Sequence, residues 1–230
     1  EKGGGAVLLG HSMWNPYAHM LRVLKRYEAP GRHTVSLSSY PGVLFSKDQF
    51  YTTSAGVLMF STYVPHPPPS PPNPETLLCW VRTLSGLAVA HDGQQLVALL
   101  SKYNSGTYPD QYVIVTTPPS DCSGPLPSGT VLVFESFADF ATHRDVTDQL
   151  NHDGFFGAWN KAVLPEMIAV CGQSPTYDDD DKTCRGALYK IHAPAVNSVV
   201  RLPLHRLTLH SAYTFTSSIN QRHLSLHPLL

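Results

Sequence analysis

The sequence predicts an α+β domain in which paired strands pack against helices. Segments with strand-like patterning come in neighbouring pairs, whereas segments with helical spacing come singly or in pairs. That order differs from the regular strand–helix alternation of a doubly wound parallel sheet. Of the 230 residues, 42% are apolar, which is enough to form the core of such a domain.

The N-terminal part is predicted to contain three strands and one helix. Residues 6–9 form an apolar run after three glycines, which is typical of a buried strand. Residues 17–27 carry apolar side chains at helical spacing, and Pro30 followed by glycine marks the end of that helix. Residues 33–38 alternate like a strand, and residues 55–64 have the β-branched and aromatic content of one.

A proline-rich segment precedes the next predicted helix. Residues 65–74 contain seven prolines, a composition typical of either a polyproline II linker or an elongated surface loop. Pro74 suits the first turn of a helix, which is predicted over residues 75–90.

The remaining predicted elements are a pair of strands with one helix before it and one after it. Residues 94–103 and 162–170 have helical spacing, and residues 112–116 and 131–134 have the apolar, β-branched composition of buried strands. The two strands are separated by the turn-rich segment 118–129.

Charge and cysteine content narrow the function classes. The net charge is −1 and charged residues make up 14% of the chain, which argues against nucleic acid as a partner because phosphate binding needs a basic face. The sequence contains no run of eighteen apolar residues, so no membrane span is predicted. Cys79, in an apolar run, is predicted to be a buried free thiol, whereas Cys171 and Cys184 either form a disulfide or stay free. The cysteine spacing predicts no metal site, and no cofactor is expected.

Two polar clusters could carry chemistry. Residues 10–15, which include His11 and Trp14, follow the first predicted strand, where either a sheet-edge active site or a capping turn would lie. Asn104 and Ser105 belong to a second cluster over residues 102–112. This cluster is either a tight turn or a source of oxyanion donors, and the residue types alone do not decide between them.

The sequence resembles the phospholipase B-like family at these clusters and elsewhere. The order of the matching blocks is kept over most of the chain. They are residues 7–14 with Tyr17 and residues 20–22; residues 38–42 with Asp48, Phe50 and Tyr51; residues 75–80; residues 102–108 with Gln111 and Tyr112; and, more loosely, residues 154–160 and 185–189.

The resemblance implies an αββα sandwich of the N-terminal-nucleophile hydrolase type, incomplete at both ends of this chain. In such enzymes the precursor cuts itself before a cysteine, whose thiolate then attacks a carbonyl. By position, His11 and Trp14 would line the catalytic pocket, Asn160 would be the oxyanion donor, and Asn104 and Ser105 would support the site from a neighbouring turn. The implied location is the lumen of the lysosome or endosome, or outside the cell.

The chain departs from the family pattern at both ends. The implied nucleophilic cysteine would lie upstream of Glu1, so the chain is expected to be a fragment that works with the missing N-terminal portion of its precursor. Residues 1–200 are expected to form the family domain, and residues 201–230 a divergent tail, with a frameshift or disorder expected there. The expected function is hydrolysis of amide or acyl-ester (phospholipid) bonds. The alternative is a non-catalytic lysosomal or endosomal glycoprotein that retains the fold for structure or binding.

Overall fold

The computed structural model describes residues 6–11, 13, 21–64, 74–119, 124–137, 140–172, 184–196 and 214–219. Within these residues, ten strands form two antiparallel sheets and five α-helices are present. The strands are β1 (Ala6–His11), β2 (Val23–Tyr27), β3 (Val35–Ser39), β4 (Phe50–Thr53), β5 (Val57–Tyr63), β6 (Asp110–Thr116), β7 (Val131–Phe137), β8 (Phe140–Asp145), β9 (Phe155–Ala158) and β10 (Thr214–Ile219). The helices are α1 (Cys79–Leu87), α2 (Gly93–Ser101), α3 (Thr147–Asp153), α4 (Pro165–Cys171) and α5 (Cys184–His192), followed by a 3₁₀ turn at Ala193–Ala195.

The larger sheet is a seven-stranded meander in the order β2-β3-β4-β5-β6-β7-β8. Its central strands are apolar on both faces because both faces are covered. Met59, Ile114 and Leu132 point to one face and pack with Leu87 of α1 and Leu96 of α2. These two helices therefore form a layer on that face.

The opposite face of the large sheet packs against the smaller sheet, whose order is β1-β10-β9. Val7 of β1 and Phe156 of β9 share a core with Phe60 and Val113, and α3 and α4 pack into the same core. Leu8, which follows Val7 on the other face of β1, packs instead with Tyr189 of α5. The contacts thus stack helices, sheet, sheet and helix, and the predicted α+β class is confirmed.

The prediction of a helix over residues 17–27 is wrong for residues 21–27, the part of this range that the structure describes. Val23–Tyr27 form β2, which lies at the end of the meander and pairs with β3. Leu21 and Leu24 are 67% and 66% exposed, so their helical spacing does not correspond to a buried face. Lys25 extends from this strand to donate to the carbonyls of Tyr40 and Val43. Pairing with β3 therefore outweighed the local helical pattern.

Tertiary contacts also shorten two predicted helices. The helix predicted over residues 75–90 begins only at Cys79, because Leu77 pairs with Asn104 in an isolated bridge and its N–H donates to Tyr103 O at 2.9 Å. The helix predicted over residues 162–170 is Pro165–Cys171, preceded by an extended segment. The helix predicted over residues 94–103 is confirmed as α2, where the Asp92 carboxylate accepts the Gln95 N–H at 2.8 Å.

The strands predicted over residues 6–9, 33–38, 55–64, 112–116 and 131–134 are confirmed as β1, β3, β5, β6 and β7. Cys79 and Cys171 are free thiols, Cys79 half-buried and Cys171 buried, so the disulfide alternative is not formed. Residues 65–73 lie outside the described residues, and the division of the chain at residue 200 stays a prediction. No helix among the described residues is both long and apolar enough to cross a bilayer.

The close approach of α5 to the smaller sheet gives a first prediction. A methyl group added at Gly157 would lie 2.6 Å from Tyr189 Cε1, well inside van der Waals contact. We expect Gly157→Ala to lower the free energy of unfolding by about 1–3 kcal/mol through overpacking. Chemical denaturation measures the change. Gly124→Ala is the control, because nothing lies within 4 Å of its added methyl group; equal stability of both variants would contradict the packing of Tyr189 on Gly157.

Candidate functional site

Three polar side chains form a row across the three strands β5, β6 and β7, near one end of them. Thr62, Gln111 and Glu135 are directly paired on β5, β6 and β7, and all three fix the segment that follows β9. Thr62 Oγ1 accepts from Asn160 N–H at 3.2 Å, and Gln111 Nε2 donates to Lys161 O at 2.9 Å. The segment that begins at Asn160 is therefore held against the sheet by side chains from three adjacent strands.

Glu135 completes the row as a fully buried carboxyl group. Its two oxygens accept from the N–H groups of Val163 and Leu164 at 2.7 and 3.1 Å, and from Gln111 Nε2 at 2.6 Å. Burial raises the pKa of Glu135 above its ordinary value, although these donors partly oppose the shift. Glu135 thus holds the extended segment that precedes α4 against the large sheet.

His11 and Asn160 lie on the same side of the large sheet. The His11 ring stacks on Phe60 with ring centroids 6.0 Å apart, and Asn160 binds Thr62, two residues further along β5. Alternate residues of a strand share a face, so the His11 ring and the Asn160 N–H contact the same face of β5, the one that faces the smaller sheet. Asn160 has a left-handed φ of 49°, and its Nδ2 donates to Tyr63 O at 2.8 Å. Trp14, predicted to lie with them, is outside the described residues.

Asn104 and Ser105 lie in the helical layer, on the opposite face of the sheet. Asn104 Oδ1 accepts from Arg82 Nη2 at 2.8 Å and from Gly106 N–H at 3.1 Å. Arg82 belongs to α1 and also donates to the carbonyls of Leu77 and Leu100. The structure thus places His11 and Asn160 against the same face of β5, and places Asn104 and Ser105 in the turn that joins α2 to β6.

Sequence reasoning missed a pocket of about 230 Å³ below the first turn of α1. At its base lies Asp110, which is 2% exposed and whose Oδ2 accepts from Gln49 Nε2 at 3.0 Å and from Ser61 Oγ at 2.9 Å. The walls are largely aromatic. They include Phe45, Tyr51, Trp80, Tyr108 and Tyr112. The only feature of the sequence that pointed to this pocket was Asp110, an acidic residue at the start of an apolar strand. Its contact with Gln49 could not be predicted, because the two residues are 61 positions apart in sequence.

The ionisable groups of this pocket are uncharged near neutral pH. Burial raises the pKa of Asp110 to about 8, although the hydrogen bonds from Ser61 and Gln49 act in the opposite direction. Burial also raises the pKa of the Cys79 thiol, whose Sγ lies 3.0 Å from Tyr112 Oη. Because the thiolate is the reactive form, Cys79 is not poised as a nucleophile. No group of three or more metal-binding side chains is found among the described residues.

Comparison with known proteins assigns the family. A sequence model described as phospholipase B matches residues 2–184. The chain is 29% identical over 250 residues to human putative phospholipase B-like 2, covering 95% of this chain and 41% of that protein. It is 32% identical over 168 residues to human phospholipase B-like 1, covering 67% and 29% of the two chains. With phospholipase B-like protein C of Dictyostelium discoideum it shares 29% identity over 177 residues, covering 72% and 31%.

The two packed sheets and the polar segment fixed between them define a layered α+β protein with a candidate site at one end of β5. The chain belongs to the phospholipase B-like family. It spans less than half of the length of the curated relatives described above.

Buried Asp110 predicts an unusual pH dependence of stability. Its pKa is raised to about 8, so between about pH 4 and pH 8 the folded chain keeps a proton that the unfolded chain loses. This group alone should therefore reduce the free energy of unfolding by about 1.4 kcal/mol for each pH unit in that window. Asp110→Asn should remove the slope, which denaturant titrations at several pH values would measure. Asp92→Asn, at an exposed cap, is the control, and identical pH profiles for wild type and Asp110→Asn would contradict the assignment.

The hydrogen bonds of Asn104 predict a structural role. Asn104→Ala would leave one donor of buried Arg82 without its partner, so we expect a loss of about 1–3 kcal/mol in the free energy of unfolding. Ser105→Ala removes only contacts with neighbouring Thr107 and should change stability by less than about 0.5 kcal/mol. Thermal unfolding of both variants measures the difference. A fully stable Asn104→Ala protein would show that the Arg82 contact is dispensable.

Proposed function

We propose that the chain is part of a phospholipase B-like hydrolase that cleaves amide or acyl-ester bonds, with His11 and Asn160 lining the reaction site. The observation that carries the proposal is the fixed position of Asn160, which the row of Thr62, Gln111 and Glu135 supports on the face of β5 that the His11 ring also contacts. Preorganised polar groups of this kind stabilise charge that develops in a transition state. Membership of the phospholipase B-like family supports the reaction class.

In the proposed mechanism, the nucleophile is the N-terminal cysteine of the processed protein, upstream of Glu1. Its thiolate attacks the carbonyl carbon of the substrate, and the α-amine of the same residue acts as base. Asn160, whose Nδ2 donates to Tyr63 O at 2.8 Å, would supply the amide that stabilises the oxyanion. The leaving amine or alcohol takes a proton, and water then hydrolyses the thioester. The stacking order of the four layers supports the αββα sandwich that this mechanism requires.

The second candidate is a non-catalytic lysosomal or endosomal glycoprotein that keeps the fold for structure or binding. The state of the free cysteines favours it, because burial raises the thiol pKa of both Cys79 and Cys171. Neither can supply a thiolate in place of the upstream cysteine. The location in the lumen of the lysosome or endosome, or outside the cell, is a proposal that follows from the family, as is a lipid or amide substrate.

Processing of the full-length protein tests which candidate is correct. If the protein is an enzyme of the proposed type, mass spectrometry of the mature protein will find a chain that starts at a cysteine upstream of His11. The purified protein should then hydrolyse N-acyl amides or acyl esters, and a panel of both, with phospholipids included, defines the bond. An intact, unprocessed and inactive protein would support the non-catalytic candidate.

Substitution of the two site residues gives a quantitative prediction. His11→Phe keeps an aromatic ring on Phe60 but removes the imidazole nitrogens, and should lower kcat/KM by about 10²–10⁴-fold if His11 transfers protons. Asn160→Asp keeps the shape and tolerates the left-handed backbone, yet removes the amide donor, and should lower kcat by about 10²–10³-fold. His152→Gln, at an exposed site, is the matched control. Full activity of both site variants would refute the assignment.

A further inference from the structure

Two histidine rings meet where the helical layer covers the large sheet. His33 Nε2 and His91 Nδ1 lie 3.1 Å apart, and the ring planes are nearly perpendicular, with centroids 4.6 Å apart. The two residues are 58 positions apart in sequence, so only the tertiary structure brings them together. This histidine pair has no part in the proposed hydrolysis, whose candidate residues contact the opposite face of the large sheet.

The backbone on both sides of the histidine pair is fixed. His33 N–H donates to Ala88 O at 2.9 Å, which joins the segment before β3 to the end of α1. Val35, two residues after His33, and Ala90, directly before His91, are both buried in the core between the large sheet and the helices. The two rings are therefore carried by segments that the same core holds together.

The histidine pair is accessible from solvent. His91 is exposed and His33 is half-buried. Among the described residues, neither ring makes an ion pair or a further hydrogen bond. The facing nitrogens are thus engaged only with each other, and a solute that approaches from the side of His91 can reach them.

The surroundings of the histidine pair do not repel a cation. Ala88, which binds His33, caps the C-terminal end of α1, where the helix dipole is negative. Asp92 follows His91 and caps the positive end of α2. The charged residues adjacent to the pair in sequence are Arg32 and Asp92, one of each sign.

The separation of the two nitrogens matches that of two ligands on one metal ion. Imidazole nitrogens bind Zn²⁺ at about 2.0–2.1 Å, so two of them at an angle of about 90–109° are about 2.8–3.4 Å apart. The observed 3.1 Å lies within this range. In the hydrogen bond one facing nitrogen carries a proton; with a metal ion bound, that ring keeps its proton on its other nitrogen, so the charge of the rings does not change.

We propose that His33 and His91 together bind one divalent transition-metal ion, Zn²⁺ or Cu²⁺, with water in the remaining coordination positions. Imidazole is a preferred ligand of both ions, whereas Mg²⁺ and Ca²⁺ prefer oxygen. The described residues place no third metal-binding side chain in this group, which is why water completes the coordination. The ion would cross-link the start of β3 to the connection between α1 and α2, so its role is structural.

Modification of histidines by diethyl pyrocarbonate tests the site in the unaltered full-length protein. Zn²⁺ at ten times its dissociation constant should slow the modification of His33 and His91 by about tenfold, with one half-saturating concentration for both, because they coordinate the same ion. His143, exposed on β8, is an internal control and should react at an unchanged rate. Peptide mass spectrometry measures the three rates. Protection of one ring alone, of neither, or of His143 to the same extent would overturn the proposal.

The variant His91→Gln tests whether the two rings share one ion. With a single imidazole left, the Zn²⁺ concentration that half-protects His33 should rise by about tenfold or more. His143→Gln is the matched control and should leave the protection of His33 unchanged. Circular dichroism establishes that both variants are folded before the measurement. Undiminished protection of His33 in His91→Gln would remove His91 from the site.

Chemical denaturation with different ions tests the class of metal. Zn²⁺ at about 100 times its dissociation constant should raise the ratio of folded to unfolded protein by up to about 100-fold in the wild type. Cu²⁺ should reach the same effect at a lower concentration, and Mg²⁺ should have none. The same titrations of His91→Gln subtract the contribution of the other histidines. An equal effect of Mg²⁺, or no difference between wild type and His91→Gln, would contradict a transition-metal site at the pair.

Discussion

The structure depends on the buried carboxyl group of Glu135. A buried polar group must be hydrogen-bonded, and Glu135 satisfies this requirement by accepting from Gln111 of its own sheet and from Val163 and Leu164 of the segment after the smaller sheet. Loss of the hydrogen bond from Gln111, or of those from Val163 and Leu164, would leave the buried Glu135 carboxyl group with too few donors. This single side chain therefore couples the meander to the segment that follows β9, which carries Asn160 and leads into α4.

The strand period then separates two chemical environments. Along β5 and β6, Thr62 and Gln111 face the second sheet, whereas Ser61 and Asp110 face the helices. The same end of the β5–β6 pair thus carries a polar site on the face between the sheets and a neutral aromatic pocket on the face below α1. The two faces share no side chains, so a substitution on one face can be tested without altering the side chains of the other. Any coupling between them would have to pass through the β5–β6 backbone.

The sequence correctly predicted those elements whose local residue pattern matches the side chains that are buried in the structure. α2 has an Asp92 cap followed by apolar side chains at helical spacing, and β6 and β7 carry apolar side chains on both faces over most of their length because both faces are covered. β2 was predicted wrongly, because its helical spacing is a coincidence at an exposed strand whose conformation comes from pairing with β3. The short elements β4, β8, α3 and β9 were missed, since four to seven residues carry too little periodicity.

The sequence by itself determined the α+β class, the phospholipase B-like family and the candidate side chains, because composition, periodicity and short motifs are local properties. Only the tertiary structure decided which candidates meet. It placed Asn160 and His11 on the same face of β5, it assigned Asn104 to a turn held by Arg82, and it paired Asp110 with Gln49. Those contacts join residues that are distant in sequence, and they depend on strand register and layer order, which no local pattern encodes.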